Sequence, residues 1–278
     1  MRIDSHVHFI QYNQTDYPWI GDDMEQLKRN FYPDDLKPLL DSLQFDGVIA
    51  VQARQTLEET RWLLSLADEN PLIKGVVGWV DLRSERVAKQ IEQFIEHKKI
   101  KGVRHVIHDE ADDDFMLRED FNRGLSILKE YDLAYDILIF EKHLPQTIQL
   151  VKRHPHQRFV IDHLAKPLIK EQKIRDWYEH MKILASHENV YCKISGMVTE
   201  ANWKKQPNDV FLPYLEKIFE LFPVHRLMIG SDWPVCTVVR EYQAVMKIVL
   251  DFIKNFSIEE QQYILGKSAM NFYKVGEK

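Results

Sequence analysis

Two histidines separated by one residue, His6 and His8, stand near the beginning of the chain. Residues two apart in a β-strand face the same side, so both imidazoles would point the same way and could hold one cation. For a His-x-His pair in general, two hydrogen-bonded core or surface histidines are the commoner interpretation. Position favours a functional site for this pair, because it lies near the C-terminal end of the first predicted strand of a barrel.

Two further apolar runs end in residues capable of acid–base chemistry. One is Phe159-Val160-Ile161-Asp162-His163, and the other is Leu227-Met228-Ile229-Gly230-Ser231-Asp232-Trp233-Pro234. Burying such groups without a purpose is costly, although a strand-end aspartate often only caps the next helix. Because such residues end the first, sixth and eighth predicted strands, their joint occurrence favours an active site with Asp232 as candidate catalytic base.

The elements that would position these residues are short β-branched runs, most of them followed by a segment with helical spacing. One helical stripe contains Val87, Ile91, Phe94 and Ile95, and another contains Leu144, Ile148 and Val151. The predicted strands are Arg2 to Phe9, Gly47 to Ala53, Lys74 to Leu82, Lys101 to His108, Leu133 to Phe140, Arg158 to His163, Asn189 to Ser195 and Arg226 to Ser231.

Eight strand–helix units predict an α/β fold, a (β/α)8 TIM barrel, in one domain spanning residues 1–278. A doubly wound open sheet is the competing architecture, but no Gly-x-Gly-x-x-Gly loop follows the first strand. Ile10 to Pro33 and Asp109 to Glu119 look like insertions at the C-terminal side of the strands. Loops at that end of this fold carry function.

Composition excludes several classes of function. The 37 basic and 43 acidic residues give a net charge of −6, and no basic run is long enough for nucleic acid. The two cysteines, Cys192 and Cys236, form no Cys-x-x-Cys pair and indicate thiols of a reducing compartment. No signal-peptide pattern opens the sequence and no apolar stretch approaches a membrane span, so we predict a cytoplasmic protein without a membrane partner. The sequence does not determine the oligomeric state, and a homo-oligomer is one of the states that it allows.

Several segments together resemble the amidohydrolase superfamily over nearly the whole chain, specifically its amidohydrolase-related branch. That branch includes sugar-lactone hydrolases such as fuconolactonase and rhamnonolactonase and, more distantly, pyrone dicarboxylate lactonase. The segments are Asp4-Ser5-His6-Val7-His8, Gly102-Val103-Arg104-His105, Ile161-Asp162-His163-Leu164-Ala165-Lys166-Pro167, Lys193-Ile194-Ser195-Gly196, Ile229-Gly230-Ser231-Asp232-Trp233-Pro234 and Ala269-Met270-Asn271-Phe272-Tyr273.

The resemblance implies that His6, His8, His163 and Asp232 line the active site and are the candidate metal ligands. The fourth strand lacks the bridging lysine of binuclear members and the fifth lacks a histidine, so we expect one divalent metal at most. Three imidazoles and a carboxylate suit zinc. The resemblance extends to metal-free members of the branch, which leaves catalysis without metal open. In either case Asp232 would deprotonate water, while His163, the other histidines or the cation stabilise the developing oxyanion.

Other polar residues are candidates for holding a small-molecule substrate. Arg104 offers a fixed fork of donors for a carboxylate or for vicinal hydroxyls. The alternative role for this arginine is a structural ion pair with a neighbouring aspartate. The remaining substrate-binding candidates are Gln52, Asp136, Lys166 and Trp233, with Trp19 and Trp79 as further wall residues. His105 and His108 are interpreted as ordinary polar residues.

These observations lead to the hypothesis of a hydrolase that opens a small lactone ring, derived from a sugar acid, with water activated by Asp232. A zinc-dependent non-oxidative decarboxylase is the competing enzyme, because related barrels use the same residue set for that chemistry. A non-catalytic ligand-binding barrel is the alternative from another class. The absence of a Gly-x-Ser-x-Gly elbow agrees with direct attack by water on the ring ester.

Overall fold

A computed structural model describes residues 1–204 and 207–276, in which eight parallel strands follow one another in sequence order around a single sheet. The ends of that sheet meet, since Val7 and Trp233 form a parallel bridge and the amide of His8 donates to the Trp233 carbonyl at 2.7 Å. The strands are Ile3–Val7 (β1), Gly47–Val51 (β2), Ile73–Gly78 (β3), Ile100–Val106 (β4), Ala134–Leu138 (β5), Phe159–Ile161 (β6), Val190–Ile194 (β7) and Leu227–Ile229 (β8). The predicted (β/α)8 barrel is confirmed.

Helices connect successive strands and surround the barrel. They are Pro33–Ser42 (α1), Leu57–Glu69 (α2), Val87–Ile91 (α3), Glu119–Glu130 (α4), Leu144–Arg153 (α5), Arg175–Ala185 (α6), Leu212–Leu221 (α7), Tyr242–Ile253 (α8), Ile258–Gln262 (α9) and Ser268–Phe272 (α10). The stripe predicted in α5 is buried as expected, whereas α3 ends at Ile91 and leaves Phe94 in the turn that follows. None of the helices in the described ranges has the length and apolar character needed to cross a bilayer.

The barrel interior changes character along its axis because alternate strand residues point inward. At the N-terminal end the inward layer is apolar: Ile3, Ile49, Val77, Val160 and Met228 pack together with Phe272 and Tyr273 of the C-terminal segment. Two residues further along several strands, the inward positions carry charge. The clearest cases are Asp136 after Ala134, Asp162 after Val160 and Lys193 after Tyr191, and all three charged side chains are buried. The core therefore ends in a polar floor at the C-terminal end of the strands.

Candidate active site

Three side chains meet at that polar floor in an arrangement that suits a cation. His6 Nε2 and His8 Nε2 lie 3.2 Å apart, and Asp232 Oδ1 lies 3.8 Å and 3.4 Å from them. Zinc–nitrogen bonds of about 2.0–2.1 Å at a tetrahedral angle separate two ligand nitrogens by about 3.3 Å. The three atoms therefore have ligand spacing, and His163 Nε2 approaches the same carboxylate oxygen at 3.9 Å.

The hydrogen-bond partners differ between the two rings. His8 Nδ1 lies 2.8 Å from the Val51 carbonyl, and His6 Nδ1 lies 3.4 Å from Asp162 Oδ1. The Val51 carbonyl only accepts, so we assign the proton of His8 to Nδ1, whereas His6 Nδ1 also has the donor Lys193 Nζ at 3.2 Å and its neighbours do not fix its proton. The Nε2 atoms of the two rings face each other, an arrangement that a shared cation would satisfy. Burial lowers the pKa of His6 well below its ordinary value, which keeps that ring neutral and able to act as a ligand.

His163 is positioned by an unusual backbone segment after β6. The residues from His163 to Lys166 all have positive φ angles, between 48° and 61°. Consecutive non-glycine residues in this region are strained, and such strain is often found at functional sites. Ser195 Oγ holds His163 Nδ1 at 2.8 Å, and a Cβ on Gly196 would come within 2.5 Å of the same atom. Burial also lowers the pKa of His163 well below its ordinary value.

A buried network of charges lies beneath the imidazoles. Lys193 Nζ is 2.5 Å from Asp136 Oδ2 and 3.0 Å from Asp162 Oδ1, and Tyr273 donates to Asp136 at 2.7 Å. Arg104 Nη1 completes the network at 3.1 Å from Asp162 Oδ2. Each buried charge thus has a partner, as burial requires.

The two carboxyls of this network differ in their ionisation. Burial opposes the ionisation of Asp162, but Lys193, His6 and Arg104 outweigh it and hold the pKa of Asp162 well below its usual range. Burial raises the pKa of Asp136 to about 6, against the opposing effect of Lys193. Asp162 is consequently the permanent anion that orients His6 and Arg104.

A cavity of about 350 Å³ opens above the imidazoles and Asp232. Its floor includes His8, His163 and Asp232, and its walls come from loops at the C-terminal ends of the strands. The wall residues are Trp19, Met24, Ala53, Arg104, Val106, His108, Asp109, Leu138, Lys166, Thr199, Glu200, Trp203 and Val235. Trp19 belongs to the first predicted insertion and Asp109 to the second, so both loops shape the cavity.

The substrate-binding candidates divide into two groups. Arg104 and Lys166 line the cavity, and Lys166 pairs with Glu200 at 3.1 Å. Gln52, Asp136 and Trp233 lie behind the wall instead, for different physical reasons. Gln52 donates to the Arg104 carbonyl at 3.1 Å, and Asp136 is enclosed by Lys193 and Tyr273. Trp233 packs edge-on against Phe31 and Phe9.

Several residues of the site were not among the sequence-predicted candidates. The principal ones are Asp162, Lys193, Ser195, Tyr273 and His108. His108, which the sequence predicts to be an ordinary polar residue, lines the cavity at the same two-residue period as Arg104 and Val106. That period is the signal that could have identified His108. The signal for Lys193 is a lysine inside the apolar run Tyr191-Cys192-Lys193-Ile194. The role of Tyr273 could not be predicted from its local sequence, because it reaches Asp136 from the C-terminal segment of the chain.

The chain is similar in sequence and in structure to known enzymes. The sequence model of the family described as amidohydrolase matches residues 3–275. An L-fucono-1,5-lactonase of Burkholderia multivorans is 38% identical over 288 residues, covering 100% of this chain and 97% of the relative. An L-rhamnono-gamma-lactonase of Scheffersomyces stipitis is 22% identical, covering 85% of this chain and 86% of that protein. A crystal structure of a Burkholderia multivorans amidohydrolase with bound zinc is 38% identical, with a TM-score of 0.95 and coverage of 99% of both chains.

Proposed function

Because this chain belongs to the amidohydrolase family, we propose that it is an enzyme that hydrolyses the lactone of a sugar acid. The observation that carries this function is the 38% identity to an L-fucono-1,5-lactonase over the full length of the chain. The cavity is also suited to a small polar ring, since two cationic side chains, one hydroxyl side chain and two tryptophans are among its lining residues. Tryptophan faces commonly pack against apolar ring surfaces, while polar groups fix the orientation.

Asp232 is the group that we assign to activate water. Its side chain is nearly buried at the floor of the cavity, and its Oδ1 atom faces the Nε2 atoms of His8 and His163 at 3.4 Å and 3.9 Å. A carboxylate in that position can take a proton from a water molecule as the water oxygen bonds to the lactone carbonyl carbon. The backbone of Asp232 has a φ of 62°, a strained value that is often found at functional sites.

The attack turns the carbonyl oxygen into an oxyanion, which requires nearby positive charge or N–H donors. Arg104 presents a guanidinium to the cavity, and Asp162 together with the Gln52 carbonyl fixes its orientation. We assign His163 the same role as Arg104, as a second group that polarises the lactone carbonyl. When the intermediate collapses, the carbon–ring oxygen bond breaks and Asp232 returns its proton to the departing oxygen. The product is an open hydroxy acid, which ionises at neutral pH.

A divalent metal fits the site, and we propose that it is a single zinc ion held by His6, His8 and Asp232, with His163 beside them. The fit rests on the two facing Nε2 atoms and on the spacing of the three donor atoms. Such a cation, when bound, acts as a Lewis acid on the carbonyl and lowers the pKa of water. A second cluster of possible ligands contains His6, Asp162 and His163, but the ammonium of Lys193 already lies 3.0 Å from Asp162.

A panel of five- and six-membered aldonolactones tests the function, with L-fucono-1,5-lactone as the first member. Ring opening releases one proton, so a pH indicator follows the reaction, and mass spectrometry should show the gain of one water. Turnover above the buffer rate supports the proposal. If no lactone opens faster than in buffer while an aromatic carboxylate releases carbon dioxide, the enzyme is a decarboxylase and the lactonase proposal is wrong.

The reducing, cytoplasmic location expected from the sequence is part of this proposal. Cys192 and Cys236 are both buried free thiols, which supports a compartment where thiols stay reduced. Burial raises the pKa of Cys236 well above its ordinary value, so this thiol is unsuited to act as a nucleophile near Asp232.

A further inference from the structure

Arg104 contacts the same histidine nitrogen that a cation in this site would use. Its Nη1 atom lies 3.2 Å from His6 Nε2, and the bond has donor geometry from the guanidinium to the ring. A neutral imidazole has one lone pair, and because a guanidinium can only donate, the lone pair that meets Arg104 is the one on Nε2. The lone pair can therefore accept from Arg104 or bind a cation, but it cannot do both.

The surroundings of Arg104 hold its guanidinium in this position. Nη1 also lies 3.1 Å from Asp162 Oδ2, and Nη2 donates to the Gln52 carbonyl. The side chain is 3% exposed, so it has little freedom to turn away into solvent. Any cation bound to His6 Nε2 would thus meet a fixed positive charge at close range, where the low polarity of the interior strengthens repulsion.

We propose that Arg104 is a built-in competitor for the divalent cation: it occupies the His6 lone pair in the metal-free protein, weakens metal binding, and itself supplies positive charge to the cavity. Metal occupancy then becomes a balance between the ion and a side chain of the enzyme. The part of the inference that concerns catalysis rests on the proposed lactonase function. The part that concerns metal affinity does not.

The first experiment measures zinc affinity without substrate. Chelator-treated protein is titrated with Zn²⁺ in competition with a chromophoric chelator, for the wild type and for Arg104→Gln and Lys166→Gln. Arg104→Gln should bind zinc at least ~10-fold more tightly, the size of change usual for groups that contact a ligand residue. Lys166→Gln removes an equal charge from the cavity wall without touching His6, and its affinity should stay within about twofold of wild type. Equal or weaker binding by Arg104→Gln, or equal tightening in both variants, would overturn the proposal.

A second experiment needs no substitution, which covers the case in which Arg104→Gln fails to fold. Arginine side chains labelled with ¹⁵N are observed by NMR as the wild-type protein is saturated with Zn²⁺. The signals of the Arg104 guanidinium should shift as its bond to His6 is lost, while arginines far from the cavity, such as Arg123, stay unchanged. An Arg104 spectrum that zinc leaves unaltered contradicts direct competition.

A third measurement connects the competition to catalysis. After chelation, wild-type enzyme should retain measurable lactone opening, because Arg104 still supplies positive charge. Chelated Arg104→Gln should lose that activity, and added Zn²⁺ should restore part of it. Loss of all activity in chelated wild-type enzyme would contradict this role of Arg104. Failure of the proposed function itself would look different, since neither form would open any lactone while the affinity difference persisted.

Discussion

Replacing Lys193 by methionine is a direct perturbation of the buried network that supports the imidazoles. The ammonium has no exposed surface and lies within 3.0 Å of both Asp136 and Asp162. Methionine keeps much of the volume and removes the charge. Asp162 would retain Arg104, and Asp136 would retain only the hydroxyl of Tyr273.

The expected cost follows from leaving a buried carboxylate without its cation. Breaking one partner of a buried ion pair typically destabilises a protein by about 3–5 kcal/mol. Each kcal/mol corresponds to roughly 2–4 °C in melting temperature for a domain of this size class, so the melting temperature should fall on the order of 10 °C. His6 should also lose its fixed orientation, because Lys193 Nζ lies 3.2 Å from its Nδ1 atom.

Urea unfolding at pH 7.5 measures this cost, with Asp136→Asn and the double variant completing a double-mutant cycle. The double variant should be more stable than Lys193→Met, because asparagine removes the orphaned charge and can still accept from Tyr273. The reasoning is refuted if Lys193→Met unfolds within about 1 kcal/mol of wild type, or if the two substitutions are simply additive.

Three other outcomes are expected. Burial lowers the pKa of His108 to about 3. The unfolded chain therefore takes up this proton below about pH 6.5, while the folded protein does not. Between pH 6.5 and 4.5 the free energy of unfolding should fall less steeply with pH in His108→Gln than in wild type, by up to roughly 1.4 kcal/mol per pH unit. Urea unfolding at several pH values measures both slopes, and equal slopes would contradict this prediction. Gly196→Ala forces alanine to a φ of 62° and a 2.5 Å contact with His163, so it should lose more stability and activity than Gly276→Ala, which has positive φ and open space; similar thermal melts and turnover for both would rule this out. Elemental analysis should find no more than about one zinc per chain, and about two ions would show that the second cluster also binds.

The barrel was predictable because its physical signals are local. Each of the eight predicted strands overlaps an observed one, although the observed strands are shorter: β6, for example, covers Phe159–Ile161 within the predicted Arg158 to His163. Strand ends were extended in the prediction because polar side chains continue the alternation beyond the last ladder hydrogen bond. The assignment of residues 1–278 to one domain remains a prediction.

The site was less predictable, because its second layer depends on contacts between distant residues. Lys193 and Tyr273 converge on Asp136 from β7 and from the C-terminal segment, which no spacing in the sequence reveals. The same enclosure places Asp136 behind the cavity wall, although its position on a strand resembles that of a substrate contact. His6, His8, His163 and Asp232 were accessible to sequence reasoning because each stands at a strand end, where the barrel brings such residues together.

The central claim, that Asp232 activates water to open a sugar-acid lactone, is tested most directly by the turnover of Asp232→Asn on the best lactone of the panel. Asparagine preserves the shape of the side chain and removes its basicity, so kcat should fall by at least ~10²-fold while the melting temperature stays close to that of wild type. Asp109→Asn is the matched control, since Asp109 lines the same cavity but contacts His108 rather than the candidate ligands. A kcat for Asp232→Asn within a few-fold of both wild type and Asp109→Asn would contradict the claim.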